Sequence, residues 1–136
     1  MIEYLLDADT AIYAMKRRPA VVNALLPMPF GKVAMSAIVH SQLLQGVPNS
    51  PLPGVERGLI ALLIQTVCVM SYGEDASEVY GDIVSALGVS KAHTVDRMIA
   101  AHAISLGATL VTNNTRDFAG IPGLKLANWA EAAPPA

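Results

Sequence analysis

Cysteine is almost missing from this sequence: Cys68 is alone among 136 residues. One thiol permits no internal disulfide, so burial must hold the fold, and a cytoplasmic protein is the expectation. Cys68 stands in the apolar run Thr66-Val67-Cys68-Val69-Met70, where a small hydrophobe belongs in the core rather than in catalysis. Aromatic residues make up only 5% of the chain and are not interleaved with basic ones, which argues against a base-stacking platform. A basic excess is missing too. The net charge is −2, so a nucleic-acid ligand would not be gripped by bulk attraction; metal ions or a local patch such as Lys16-Arg17-Arg18 would have to bring it in. No apolar run is long and charge-free enough to span a bilayer. Met1-Ile2-Glu3-Tyr4 has an early acid and no basic opening, so neither a secretion signal nor a membrane partner is expected. The three histidines, His40, His93 and His102, share no metal-ligand spacing and read as ordinary helix or loop residues.

What is abundant is apolar side chain, 53% of residues. That is enough for one domain of this length to bury a core, with some surface to spare for a partner. Apolar runs predict strands at 2–6, 32–35, 66–70, 108–112 and 124–126. Between them, caps and breakers predict helices at 9–17 (capped by Asp9 or Thr10), 19–26, 37–45, 54–64, 74–87 and 94–106. Residues 47–53 and 88–93 read as loops, 113–117 as a turn, and 132–136 as a frayed tail. Strands alternating with helices predict an α/β fold: one domain over 1–131, with a central, mainly parallel sheet covered on both faces. Ligands of such sheets bind outside the carboxyl ends of the strands. Asp7 ends the first strand, and Asn113, Asn114 and Asp117 follow the fourth.

Three acids stand out. Asp7 follows an apolar strand, where it serves as a helix cap or as a half-buried site carboxylate. Asp96 lies near a helix start among Val95, Met98, Ile99, Ala100, Ala101 and Ala103; an acid there must face solvent or be paired. Asp117 is a turn residue, a partner for Arg116, or a further site acid. Singly, each is weak evidence.

In combination they form a pattern. The runs Tyr4-Leu5-Leu6-Asp7, Thr94-Val95-Asp96-Arg97-Met98-Ile99-Ala100-Ala101-His102-Ala103 and Thr109-Leu110-Val111-Thr112-Asn113-Asn114-Thr115-Arg116-Asp117-Phe118 resemble the acid-bearing motifs of PIN-domain ribonucleases of the VapC type. Ser36-Ala37-Ile38-Val39 with Leu43-Leu44-Gln45-Gly46 is similar to the second motif, and Pro122-Gly123-Leu124 with Asn128-Trp129 to the C-terminal finish. The resemblance implies a Mg²⁺-dependent endoribonuclease, with Mn²⁺ able to substitute, that leaves a 5′-phosphate and a 3′-hydroxyl. It implies Asp7 and Asp96 as metal ligands and Asp117 as a further acid at the rim. Thr112 and Asn114 would shape the pocket. Hard cations of this kind prefer oxygen ligands and keep several waters. The implied partners are an RNA substrate such as tRNA, a cognate VapB-like antitoxin, and a second copy of the chain in a homodimer and larger toxin–antitoxin complex.

The chain departs from this pattern at one place. The family's second motif carries a glutamate where this sequence has Gln42, which keeps an oxygen but loses the charge. Three readings follow: a weakened enzyme, a replacement introduced to silence a toxic one, or a charge relocated to Asp9, where the family often has a neutral polar residue. Asp9 is otherwise a helix cap. Two further functions compete. One is a degenerate PIN domain that binds an antitoxin without catalysis. The other is a haloacid-dehalogenase-type phosphatase, whose strand-end Asp-x-Asp-x-Thr is similar to Asp7-Ala8-Asp9-Thr10, with Thr10 one residue early; there Asp7 would be the nucleophile and Asp9 the acid/base. That pattern leaves Asp96 unexplained, and Asn113-Asn114 stands where its later paired acids belong.

Overall fold

Five short apolar runs pair into one parallel sheet. In the computed structural model, which describes residues 1–131, the strands are Tyr4–Leu6 (β1), Val33–Ser36 (β2), Cys68–Met70 (β3), Thr109–Val111 (β4) and Leu126–Ala127 (β5), in the order β3-β2-β1-β4-β5. The register sets Leu5 between Ala34 and Leu110, and Leu6 between Met35 and Val111. All six are fully buried, as a parallel sheet with both faces covered requires. The cover is made by Ala8–Met15 (α1), Pro19–Leu25 (α2), Ala37–Gln45 (α3), Pro53–Leu63 (α4), Glu74–Leu87 (α5), Thr94–Leu106 (α6) and Thr115–Phe118 (α7). The α/β architecture is thus the one that the alternation of strands and helices predicts. Its most buried helix is α6, where Ile99, Ala100, Ala101 and Ala103 have no exposure; small side chains let a helix lie close on its neighbours.

Topology decides where a site can form. From β1 the chain winds outward through β2 and β3, then returns to the other side for β4 and β5. The β1–β4 boundary is therefore a switch point, and the crevice at its carboxyl edge is the natural ligand position. The Asp7 N–H donates to the Val111 carbonyl at 2.9 Å, tying the two strand ends together there. Helix α6 must end where β4 begins, at the amino edge. Gly107 makes that stop in the left-handed region at φ 67°, a conformation that costs glycine little. A 13-residue helix is about 20 Å long, so its first turn, with Asp96, stands over the carboxyl edge.

Several boundaries differ from expectation, each for a local reason. Helix α1 is capped by Asp7, whose side chain accepts from the Ala8 N–H, and not by Asp9 or Thr10. It stops at Met15, short of 17, because Arg17 turns left-handed at φ 57°. Arg18 then folds back over the Tyr13 ring, 4.4 Å from its centre. Helix α4 starts at Pro53, not Gly54, since a proline needs no N–H partner in a first turn. The expected loop at 47–53 contains a 3₁₀ turn, Val47–Asn49, and the connection at 88–93 contains another, Lys91–His93. The expected turn at 113–117 instead closes into α7. Strand β1 begins at Tyr4, β3 at Cys68, and β5 is Leu126–Ala127 rather than 124–126. Cys68 is half buried, with its thiol donating to the Val33 carbonyl at 3.8 Å. The frayed tail expected at 132–136 lies outside the described residues.

Candidate functional site

Asp7 leaves β1 at the switch point and is 8% exposed. Its Oδ1 takes the Ala8 N–H and its Oδ2 takes the Thr112 hydroxyl, each at 2.9 Å. Thr112, fully buried just past β4, also accepts the Asn114 N–H at 3.0 Å. The threonine therefore fixes both the Asp7 carboxylate and the turn that leads into α7. Asn114 in turn donates its side-chain amide to Asp117 Oδ2 at 2.6 Å. No ion pair joins Asp117 to Arg116 among the described residues; the exposed Asp117 is held by Asn114 instead.

Asp9 behaves differently from Asp7. Its Oδ1 accepts the Thr10 hydroxyl at 3.0 Å, and its Oδ2 accepts the Asn113 N–H at 3.0 Å, with Thr112 Oγ1 a further 3.4 Å away. Oδ2 thereby clasps the β4–α7 turn to the start of α1, while Oδ1 is held within α1 by Thr10. That role explains Asp9 without a proton-transfer step and leaves it poorly placed as an acid/base.

The electrostatics gather Asp7, Asp9, Asp96 and Asp117 into one group. Burial pushes the Asp7 carboxyl up from 3.8 to about 6; the Ala8 and Thr112 hydrogen bonds oppose the rise, while Asp9 and Asp96 reinforce it. Asp96 is also raised, first by burial and then by Asp117 and Asp9, against a lowering by His93. His93, an ordinary helix or loop residue by its sequence, reaches the acid group: its Nδ1 lies 3.9 Å from Asp96 Oδ2. Their three-residue spacing across the start of α6 was the available signal.

Gln42 sits on α3, which packs against both α1 and α6. Its Oε1 is buried and has no hydrogen-bond partner. A buried amide oxygen without a donor costs about 1–3 kcal/mol, so this oxygen is suited to an electrophilic partner such as a cation. Among the described residues, no three His, Cys, Asp or Glu side chains lie together closely enough to hold a metal ion between them. The donor set nevertheless fits an open shell: Mg²⁺ is bound through one or two carboxylates, keeps several waters and shares substrate phosphates.

The raised Asp7 makes a stability prediction. Folding holds its proton up to about pH 6, whereas a free aspartate releases it near 3.8. The folded state then binds more protons in this window, so stability falls as pH rises from about 4 to 6, and the penalty is complete above 6. Metal-free protein should gain as much as about 3 kcal/mol from Asp7 on acidification through that window. Asp7→Asn should remove most of the gain. Urea unfolding at pH 4.5 and 7 checks this; parallel changes in parent and variant would refute it.

The chain matches the PIN domain family over residues 4–124. It is 30% identical over 132 residues to the tRNA(fMet)-specific endonuclease VapC of Shigella flexneri, covering 96% of this chain and 100% of that protein. It is 32% identical over 133 residues to ribonuclease VapC2 of Haemophilus influenzae, covering 95% and 99%. The crystal structure of DNA-bound VapBC from Salmonella typhimurium superposes with a TM-score of 0.84 at 29% identity, covering 95% of this chain and 99% of that one. The fold is that of a PIN domain, and the chain belongs to that family, on the branch of the VapC ribonucleases. This membership, with Asp9 already accepting from Thr10 and Asn113, leaves the phosphatase reading of Asp7 and Asp9 without support.

Proposed function

We propose that this chain is a Mg²⁺-dependent endoribonuclease, with Mn²⁺ able to substitute, and that it is the toxin of a type II toxin–antitoxin pair acting in the cytoplasm. The observation that carries the reading is the coupled acid group at the β1–β4 switch point. Asp7 is pushed up to about 6 by burial and by neighbouring carboxylates. The one basic group paired with any of these acids among the described residues is His93, at 3.9 Å from Asp96. Such a group holds unfavourable charge that a divalent cation would relieve.

Asp7 and Asp96 would hold the ion, with Gln42 and Asp117 completing the group around the reacting phosphate. A bound Mg²⁺ there supplies Lewis-acid polarisation of a phosphate oxygen and a more acidic water. The protein's own contribution is orientation. Thr112 aims Asp7, Asp9 clasps the turn that carries Asn113, and Asn114 holds Asp117. The substrate is RNA, with tRNA the leading class because relatives from Shigella flexneri and Salmonella typhimurium are named for it.

The solved VapBC structure supports a VapB-like antitoxin as partner. A groove of about 480 Å³ between α1, α2 and α4, lined by Met15, Val22, Leu25, Leu59 and Leu62 among others, is suited to an apolar segment of it. A homodimer and a larger toxin–antitoxin assembly complete the proposal, with residues 1–131 as the nuclease domain. No helix among the described residues is long and apolar enough to cross a membrane.

A second reading draws on Gln42: a degenerate PIN domain that binds its antitoxin without cleaving RNA. Cation linkage separates the two. Millimolar Mn²⁺ should raise the Tm of the purified chain by roughly 3–6 °C. An unmoved Tm would count against a metal site of useful affinity and in favour of the non-catalytic binder.

A further inference from the structure

Ser36 and His102 form a buried polar pair that the proposed chemistry leaves unused. Ser36 ends β2 and caps α3, and His102 lies in the middle of α6; they are 0% and 2% exposed. His102 Nδ1 and Ser36 Oγ are 2.8 Å apart, and the same oxygen accepts the Ile38 N–H at 3.1 Å. A serine hydroxyl has one proton and two lone pairs. With Ile38 donating into one lone pair, the hydroxyl either gives its proton to His102 Nδ1 or accepts one from it, and either bond is made by a neutral imidazole. The surroundings agree. Burial pushes His102 below its usual range, with the Ser71 backbone pulling the other way, and Tyr72 meets the ring edge-on at 5.5 Å.

A histidine that only filled the core would need a partner somewhere. This one is bonded to the residue that sets the first turn of α3. That helix carries Gln42, with its buried and unpartnered oxygen, and packs against α1 and α6, the helices of Asp9 and Asp96.

We propose that His102 is a positioning residue: through Ser36 it fixes the start of α3, and with it the placement of Gln42 relative to Asp7 and Asp96. The proposal rests on the ribonuclease reading above. His102 is buried and bonded to Ser36 rather than to a site acid, so on this proposal the rate of the bound complex depends on it and substrate binding does not.

The test is steady-state cleavage of a structured RNA by the full chain in saturating Mn²⁺. His102→Ala should lower kcat about tenfold, as loss of an outer-shell support does, with KM unchanged. His102→Asn places an oxygen near the former Nδ1 and should recover most of the loss. In a Gln42→Ala background, His102→Ala should have little further effect, since both changes act on the same placement. Should His102→Ala not fold, His102→Asn and Ser36→Ala carry the test, with kcat near the parent's for the first and reduced for the second. Equal losses in His102→Ala and His102→Asn, or the same loss with and without Gln42, would overturn the positioning role. So would full kcat in His102→Ala. A parent that leaves RNA intact in Mn²⁺ overturns the ribonuclease reading, and this proposal with it.

Discussion

Asp7→Asn and Asp96→Asn should each abolish metal-dependent RNA cleavage, a loss on the order of a thousandfold, while the protein still folds. The amide keeps the shape of the carboxyl and removes its charge. At an effective dielectric of about 20, a unit charge a few ångströms from a cation is worth a few kcal/mol, which is enough to empty the site at ordinary metal concentrations. The fold survives for reasons visible at each position. An asparagine at position 7 keeps an oxygen for the Ala8 N–H, and Thr112 can turn its hydroxyl to accept from the new amide. The Asp96 side chain is 32% exposed, so a neutral side chain there still reaches solvent. Retained circular dichroism and a cooperative melt in both variants separate lost chemistry from lost structure.

Gln42→Glu should raise Mg²⁺-dependent cleavage ten- to hundredfold, corresponding to a net gain of ~1–3 kcal/mol. Side-chain volume hardly changes, so the packing of α3 against α1 and α6 should hold. The buried oxygen that now has no partner would become part of a carboxylate available to the proposed cation. Part of the Coulomb gain is lost to desolvation and to repulsion from Asp7 and Asp96, both already raised in the metal-free protein. The variant should also be more toxic when expressed without its partner.

The relocated-charge account adds a forecast about Asp9. If Asp9 supplies the charge that residue 42 lacks, Asp9→Asn harms the present protein far more than it harms Gln42→Glu. Asp9 also clasps Thr10 and Asn113, so Asp9→Asn has a structural cost of its own. A double-mutant cycle at 9 and 42 cancels the part common to both backgrounds. An unchanged rate in Gln42→Glu, with Asp9→Asn harmless in both, would remove both the weakened-site and the relocated-charge accounts.

Most of the frame was legible because its signals are local. Unbroken runs such as Tyr4-Leu5-Leu6 and Thr109-Leu110-Val111 mark buried parallel strands, and Gly107 marks a helix end by the one conformation it adopts cheaply. The strand-end position of Asp7 was readable for the same reason. What escaped was set by contacts between distant segments. Whether Asp7 or Asp9 caps α1 depends on Thr112 and Asn113, more than a hundred residues away. The Ser36–His102 bond spans 66 residues, and no spacing rule relates the two. Asp7 and Asp96 are joined by topology alone: the return of the chain past β1 puts the start of α6 over the same edge.

The most direct test of the carboxylate-bound metal is the initial rate of RNA cleavage by chelator-stripped protein as Mn²⁺ is titrated in, run side by side on the parent, Asp7→Asn and Asp96→Asn. The parent should be silent without metal, rise to saturation with it, and fall silent again on chelation, with both variants silent throughout. Cleavage by the parent in chelator, or a variant titrating like the parent, would contradict the assignment.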